Sequence, residues 1–384
     1  MAKLKYWVWL SCIGNVRPYV KYRLTEELGG PEAVFFAGRD ELIYAGAAPK
    51  EAERLMDKST EEAERVMEFC AERNIDILTL QDATYPERLR NIPDPPVVLY
   101  IRGRLPRVDE SVMIAVVGTR KATPYGLRMA SKLGRELAEA GGIVVSGLAE
   151  GCDAAAMEAA LRAGGVTVGV LGTAVDRVYP AKNRWLFDEV GARGALVSEY
   201  APGMRTFASD FKARNRLISG LCLGVAVAEA PVRSGTRVTV NHALDQGRDV
   251  FAVPGNADAA AMEGCNDLIA HGAILASSGE EILAEYTLRK DLIRRETTPT
   301  PIKKEIDKAE DIVYIDLQEK QEKLAKLPDP QRRIMEALTR PDMHADELIE
   351  ATGLSAAEAL AALTMLQVTG YVTQGAGRRY TRKL

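Results

Sequence analysis

Six short apolar runs between residues 113 and 255 constrain this chain more than any other feature: MIAVVG (113–118), GIVVSG (142–147), VTVGVLG (166–172), ALVSEY (195–200), GVAVAEA (224–230) and DVFAVPG (249–255). Each is nearly continuous rather than alternating, as a strand covered on both faces requires. Stretches of helical length separate them. The expected fold class is therefore α/β, with a mostly parallel, Rossmann-like sheet over residues 109–285. Right-handed crossovers bring the C-terminal ends of such strands to one edge, where open α/β sheets bind their ligands.

The flanks read differently. Residues 1–108 are amphipathic segments broken by Gly and Pro that end in IPDPPVVLYIRG, and are expected to form a separate, mostly helical domain. Within them, LSCIGNVRPYVKYRLTEELGGPEAVF sets a turn at Ile13, Gly14, Asn15 and Val16 before a helical pattern. This outline of a helix-hairpin-helix leaves two readings open: a turn that presents N–H groups to a phosphate, or one that only reverses the chain. Residues 286–325, charged and interrupted by prolines, read as a linker. Residues 326–384 read as a winged helix, with three helices and then a strand, a Gly-containing turn and a strand bearing Arg378, Arg379, Arg382 and Lys383. The third helix is entered through Ser355, with Glu358 three residues on as a capping box.

Composition limits the partners. Fifty Lys plus Arg against fifty-four Asp plus Glu give a net charge of −4, so no global positive field draws the molecule to nucleic acid and any such site is local. Five scattered cysteines without a C-x-x-C pair exclude a disulfide framework and a zinc knuckle, and point to a reducing cytoplasm. No window of 18 apolar residues predicts a membrane span.

Anion-binding residue types recur at the ends of the strands. Gly118, Thr119 and Arg120 end the first, where a glycine admits an anion to the backbone and a guanidinium donates two parallel N–H groups. Ser146 and Gly147 end the second, with Asp153 expected as the N-cap of the next helix. After the third come Tyr179, Pro180, Lys182, Asn183 and Arg184. Lys212, Arg214, Asn215 and Arg216 form the densest basic cluster, and Ser234, Gly235 and Thr236 open a helix as either a phosphate cradle or a plain cap. Glu229 is expected to orient an arginine. Enzyme templates do not fit: the chain has no P-loop, no G-x-G-x-x-G, no G-x-S-x-G around Ser146, and only isolated histidines at 242, 271 and 344. No catalytic residue, metal or cofactor is expected. A row of phosphate-gripping sites suits a polyanion better than one small nucleotide.

At these residues the chain resembles the DNA-processing protein A family, also called DprA or Smf. The likeness is carried by VVGTRKATPYG, VSGLAEGCDAAAMEAAL, VGVLGTAVDRVYPAKN, SEYAPG, RNRLISGL, VAEAPVRSGT, FAVPGN and GCNDLIAHGA, in that order, with YPERLRNIPDPPVVLYIRG upstream. The resemblance implies an extended Rossmann-like fold that binds single-stranded DNA without sequence preference, dimerises, protects incoming DNA and loads the RecA recombinase during natural transformation. It implies a pocket of Gly118, Thr119, Arg120, Ser146, Gly147, Tyr179, Pro180, Lys182, Asn183, Arg214, Asn215 and Arg216. The chain departs from the family where Phe211 is followed by Lys212 and Ala213 instead of proline, and where Cys265 replaces the usual Thr or Ser. The competing class is a nucleotide phosphoribohydrolase, whose Gly-Gly-x-Gly-Thr loop Ser234-Gly235-Thr236 matches in part.

Overall fold

The computed structural model describes residues 2–287, 328–338, 343–369, 371–375 and 379–382. The chain divides into two compact units, Met1–Thr298 and Pro299–Leu384. The first opens with helices α1 (Ala2–Cys12), α2 (Pro18–Leu28), α3 (Pro31–Phe36), α4 (Arg39–Tyr44), α5 (Pro49–Leu55) and α6 (Glu61–Glu72). Trp7, Val8, Trp9 and Leu10 are buried in succession, so α1 is enclosed rather than one-sided. Strand β1 (Ile75–Thr79), helix α7 (Glu87–Arg90) and strand β2 (Val98–Gly103) follow.

The expected boundary at residue 108 does not separate two cores. β2 pairs antiparallel with both β1 and β6 (Ala195–Ser198), so residues 75–103 belong to the large sheet. The Ser11 hydroxyl lies 2.6 Å from the Tyr100 hydroxyl, and one continuous apolar cluster runs from Trp7 to Tyr286. The physical reason is the run Val97 to Ile101, whose members are all buried: a strand apolar on both faces needs cover on both and cannot edge a small helical module.

The other strands are β3 (Met113–Gly118), β4 (Ile143–Ser146), β5 (Thr167–Val170), β7 (Gly224–Glu229), β8 (Asp249–Ala252) and β9 (Ile274–Leu275). Among the described residues they form a nine-stranded sheet of order β1-β2-β6-β5-β4-β3-β7-β8-β9, parallel from β6 to β9. All six apolar runs named above lie in it. Helices α8 (Pro124–Glu139), α9 (Cys152–Arg162) and α10 (Arg184–Arg193) follow β3, β4 and β5 and touch in turn on one face; α11 (Ala208–Gly220) and α12 (Thr236–Asp245) touch on the other, as right-handed crossovers require. Helix α13 (Glu263–Ala270) follows β8, and α14 (Gly279–Thr287) packs on α8. Residues 288–325 of the expected linker lie outside the described residues.

The second unit has its own core, around Ile334, Leu348, Leu363 and Tyr380. It runs α15 (Asp329–Ala337), β10 (Met343–His344), α16 (Ala345–Thr352), α17 (Ala356–Val368), β11 (Val372–Gly375) and β12 (Arg379–Arg382), with antiparallel order β10-β12-β11. The Ser355 hydroxyl accepts from Glu358 N at 3.3 Å and Glu358 accepts from Ser355 N at 3.1 Å, which forms the expected capping box. This is a winged-helix arrangement. Arg378 and Lys383 lie outside the described residues.

All five cysteines are free, and burial pushes the Cys152, Cys222 and Cys265 thiols up to about 12. Among the described residues no single helix is long and apolar enough to cross a membrane. Lys21 on α2 donates to Ser11 O at 2.8 Å, and burial lowers its pKa from 10.5 to about 8, against the pull of Cys12 and Glu199. The folded state therefore gives up this proton before the unfolded state does, and the group's contribution to stability rises as pH climbs from about 8 to 10.5. Lys21→Met is expected to raise Tm at pH 7 by a few degrees and to flatten that rise. Melting curves at pH 7 and 9.5 check it, and an unchanged pH slope in the variant would refute it.

Candidate nucleic-acid interface

β3 lies between β4 and β7, so the chain leaves it in one direction and returns on its other side. A crevice opens at such a reversal, beyond the carboxyl ends of the strands. Gly118 ends β3 there, and a Cβ on it would stand 2.5 Å from Cys152 Sγ and 2.9 Å from Glu229 O, so no larger residue fits. Thr119 N donates to Glu229 O at 2.8 Å, and Lys121 N donates to the Thr119 hydroxyl at 3.3 Å. This folds residues 118–123 into a tight loop that carries Arg120 and Lys121 outward. Both are exposed, and no ion pair holds either among the described residues.

Several residues expected in the pocket hold the crevice together instead. Ser146 is buried and donates to Val116 O at 2.6 Å. Gly147 N donates to Asp153 Oδ2 at 3.1 Å, and Gly147 O accepts from Arg214 Nη1 at 3.2 Å. The Gly147 N–H, the one donor of the pair that a phosphate could use, is committed to Asp153. Asp153 is not the N-cap of α9, a place taken by Gly151; its carboxyl lies buried, and burial raises its pKa against the opposing charge of Arg214. Arg214 also donates to Val170 O, so one guanidinium ties the ends of β4 and β5 together. Burial lowers its pKa to about 10; Asp153 works against that and the nearby charge of Arg120 adds to it.

Arg216 is likewise interior, at 1% exposure. Its two Nη atoms donate to Glu199 at 2.7 Å each, and its Nε lies 2.9 Å from Asp94 Oδ2. Burial opposes its charge, and Glu199 more than offsets this, so its pKa stays above the ordinary value. Asn215 accepts from Arg214 Nε at 3.2 Å. The basic cluster is thus mainly a packing device. α11 turns Arg214, Arg216, Leu217 and Ile218 inward and leaves Lys212 exposed.

Asn183 is buried and donates to Leu148 O at 2.9 Å. The Ser234 hydroxyl accepts from Thr236 N at 3.2 Å and bonds the Thr236 hydroxyl at 2.9 Å just ahead of α12, whose N-cap is the exposed Gly235. Glu229 meets Thr123 rather than an arginine.

What remains outside is a belt of cations and rings. Tyr179, 49% exposed and joined to Pro180 by a cis peptide, leans on Phe211 with ring centroids 4.8 Å apart. Lys182 reaches Glu150 at 3.6 Å with both side chains largely in solvent, a pairing of at most about 1 kcal/mol that a phosphate can displace. Sequence reasoning missed three members of the belt: Trp185, in the first turn of α10 and 49% exposed, and Phe207 at the start of α11, with the Arg205 guanidinium 5.6 Å from its ring. The signal was an aromatic beside a cation just past a strand end, but exposure separates such a ring from a core residue and is not visible in sequence. Exposed rings among cations offer bases a stacking surface and phosphates a counter-charge.

Other candidates are poorer in free cations. At the helix-hairpin turn, Arg17 is held by Glu51 at 2.9 Å through both Nε and Nη2, and those bonds lower the Glu51 pKa to about 2. The turn lines a groove of about 720 Å³ whose lining sets Lys50, Arg54 and Arg65 beside Glu53, Asp57, Glu61 and Glu62. In the second unit, α17 is the helix that a winged helix lays against DNA, and its sequence AAEALAALTMLQV has no Lys or Arg.

Known proteins resemble this chain over most of its length. A family model described as DNA recombination-mediator protein A matches residues 76–287, and a DprA winged helix domain matches residues 318–378. Protein Smf of Synechocystis sp. is 32% identical over 98% of this chain and 98% of its own, and DNA processing protein DprA of Streptococcus pneumoniae is 43% identical over 54% of this chain and 73% of its own. The X-ray structure of the S. pneumoniae protein aligns with a TM-score of 0.64 and 34% identity over 73% of this chain and 97% of that one. A DprA structure from Helicobacter pylori, described by its single-stranded DNA binding mode, aligns with a TM-score of 0.50 and 30% identity over 57% and 99%. A nine-stranded sheet reversing at β3, a winged-helix unit and near full-length likeness to Smf lead to one assignment: the chain belongs to the DprA/Smf family of DNA recombination mediators.

Proposed function

We propose that this protein binds single-stranded DNA without sequence preference along the C-terminal edge of its sheet, and acts by binding alone, without catalysis or cofactor. The observation that carries the reading is the belt at that edge: Arg120, Lys121, Lys182, Arg184, Lys212 and Arg233 exposed, with Tyr179, Trp185 and Phe207 among them. Cations that track a backbone and rings that accept any base are the two parts of sequence-tolerant strand binding. The single-stranded DNA described for the H. pylori relative supports the same ligand here. Thr119, Gly118, Pro180, Ser234 and Gly235 serve by shaping the loops, and Ser146, Gly147, Asn183, Arg214, Asn215 and Arg216 by tying those loops to the rest of the fold.

The protein works in the cytoplasm as a homodimer that protects incoming strands and loads RecA onto them during natural transformation. The homodimer has support in β9, which ends the sheet with Ile274 and Leu275 both exposed, an apolar edge of the kind that a second copy covers. Light scattering measures the assembly, and RecA filament formation on coated strands measures the loading.

The decisive test is fluorescence anisotropy with a labelled single strand, with duplex and nucleoside monophosphate as competitors. The expected result is tight binding that resists both competitors and survives truncation after Thr298. Displacement by the monophosphate would replace the proposal with a small-ligand pocket, and loss on truncation would move the site to the winged helix.

A further inference from the structure

Open α/β folds bind phosphate at the N-terminus of the helix that follows the first parallel strand, where free N–H groups and the helix dipole favour an anion. Here that place belongs to α8, and it is taken. Thr123, the N-cap of α8, donates to Glu229 through both its backbone N, at 2.8 Å, and its hydroxyl. Gly126, in the first turn, comes so close that a Cβ on it would stand 2.5 Å from Glu229 Oε2. The carboxylate is fully buried, and no ion pair to it occurs among the described residues. The donors to it both belong to Thr123, whose hydroxyl in turn accepts from Gly126 N at 3.2 Å.

The same residue holds the other end of the loop. Its backbone O accepts from Thr119 N at 2.8 Å, so Glu229 grips residues 119 and 123 and leaves Arg120 and Lys121 arched between them. We infer that Glu229 is an internal anion that fills the phosphate seat of the fold, shuts out a nucleotide phosphate there, and positions the Arg120 loop so that a strand's phosphates are met outside the crevice. The inference rests on the single-stranded DNA reading and adds to it a specificity device: the protein refuses mononucleotides because it supplies its own anion.

Three alternatives of substitution separate its consequences. In Glu229→Ala the loop loses two donors' partner, and a loss equivalent to one net hydrogen bond corresponds to about 3- to 10-fold weaker strand binding. Because Glu229 acts through Arg120, the double variant with Arg120→Ala should bind no more weakly than Arg120→Ala alone, whereas independent contacts would multiply. Acetate should enter the emptied seat and restore affinity to Glu229→Ala when it replaces chloride at constant ionic strength, with no effect on the parent protein. Glu229→Gln keeps an acceptor for Thr123 N and should fall between.

The full-length protein is assayed by anisotropy with a labelled oligothymidine, below the Tm of each variant. If Arg120→Ala binds as the parent does, the sheet-edge reading fails and takes this inference with it. If Arg120→Ala is weakened but Glu229→Ala is not, or if the two losses multiply, the inference alone is overturned. Absence of acetate rescue would also overturn it. Should Glu229→Ala not fold, Glu229→Gln and its double with Arg120→Ala carry the same comparison.

Discussion

Arg216→Ala is expected to destabilise the first unit by about 3 to 5 kcal/mol, the range for removing one partner of a buried ion pair. The guanidinium is 1% exposed and meets Glu199 twice at 2.7 Å and Asp94 at 2.9 Å. Its loss strands the Glu199 carboxylate, itself 7% exposed, without its ion-pair partner. The cost is that of an uncompensated buried charge more than of lost attraction, which gives the argument a second arm. Replacing Arg216 and Glu199 together by methionine removes both charges and should recover most of the lost stability. Urea unfolding of the single and double variants measures both. A single variant within 1 kcal/mol of the parent, or a double variant no better than the single, would reject the interior role of Arg216.

That role was not legible from RNRLISGL, and the reason is geometric. In sequence, Lys212, Arg214 and Arg216 alternate with other residues just before an apolar run, which reads as one basic patch. On α11, residues 214, 217 and 218 share the inward side, and the path of the helix past Asp94 and Glu199 takes Arg216 inside as well. The partners lie far away in sequence, and no periodicity announces them. Ser146 and Asn183 escaped for the same reason: each satisfies a carbonyl on another segment, Val116 O or Leu148 O. The strands, by contrast, were readable because burial on both faces leaves a continuous apolar run, and even the antiparallel β2 shows it in VVLYI. The capping box at Ser355 was readable because both of its partners are three residues apart. The exposure of Arg120 follows from a third, local pattern: a glycine that must lie against Cys152 ends the strand, and two residues on a cation meets no ion-pair partner among the described residues.

Arg120→Ala should leave the fold almost unchanged and weaken strand binding by about 1 to 3 kcal/mol, the loss expected for one charge-assisted contact. The contrast with Arg216 follows from surroundings alone. Arg120 is exposed and has no ion-pair partner among the described residues, so nothing inside is stranded when it goes. Its removal even relieves Arg214, whose charge it disfavours. The loss should be similar for all sequences, since a phosphate contact carries no base information. It should also be visible in salt: a single strand releases about 0.7 counterion per phosphate contacted, so the slope of log affinity against log salt should become shallower by about 0.7. Anisotropy titrations of parent and variant at four salt concentrations, with oligothymidine and a mixed sequence, measure size, slope and sequence dependence together. An unchanged slope with weakened binding would mean that Arg120 acts on the loop and not on a phosphate, and unchanged affinity would remove it from the interface.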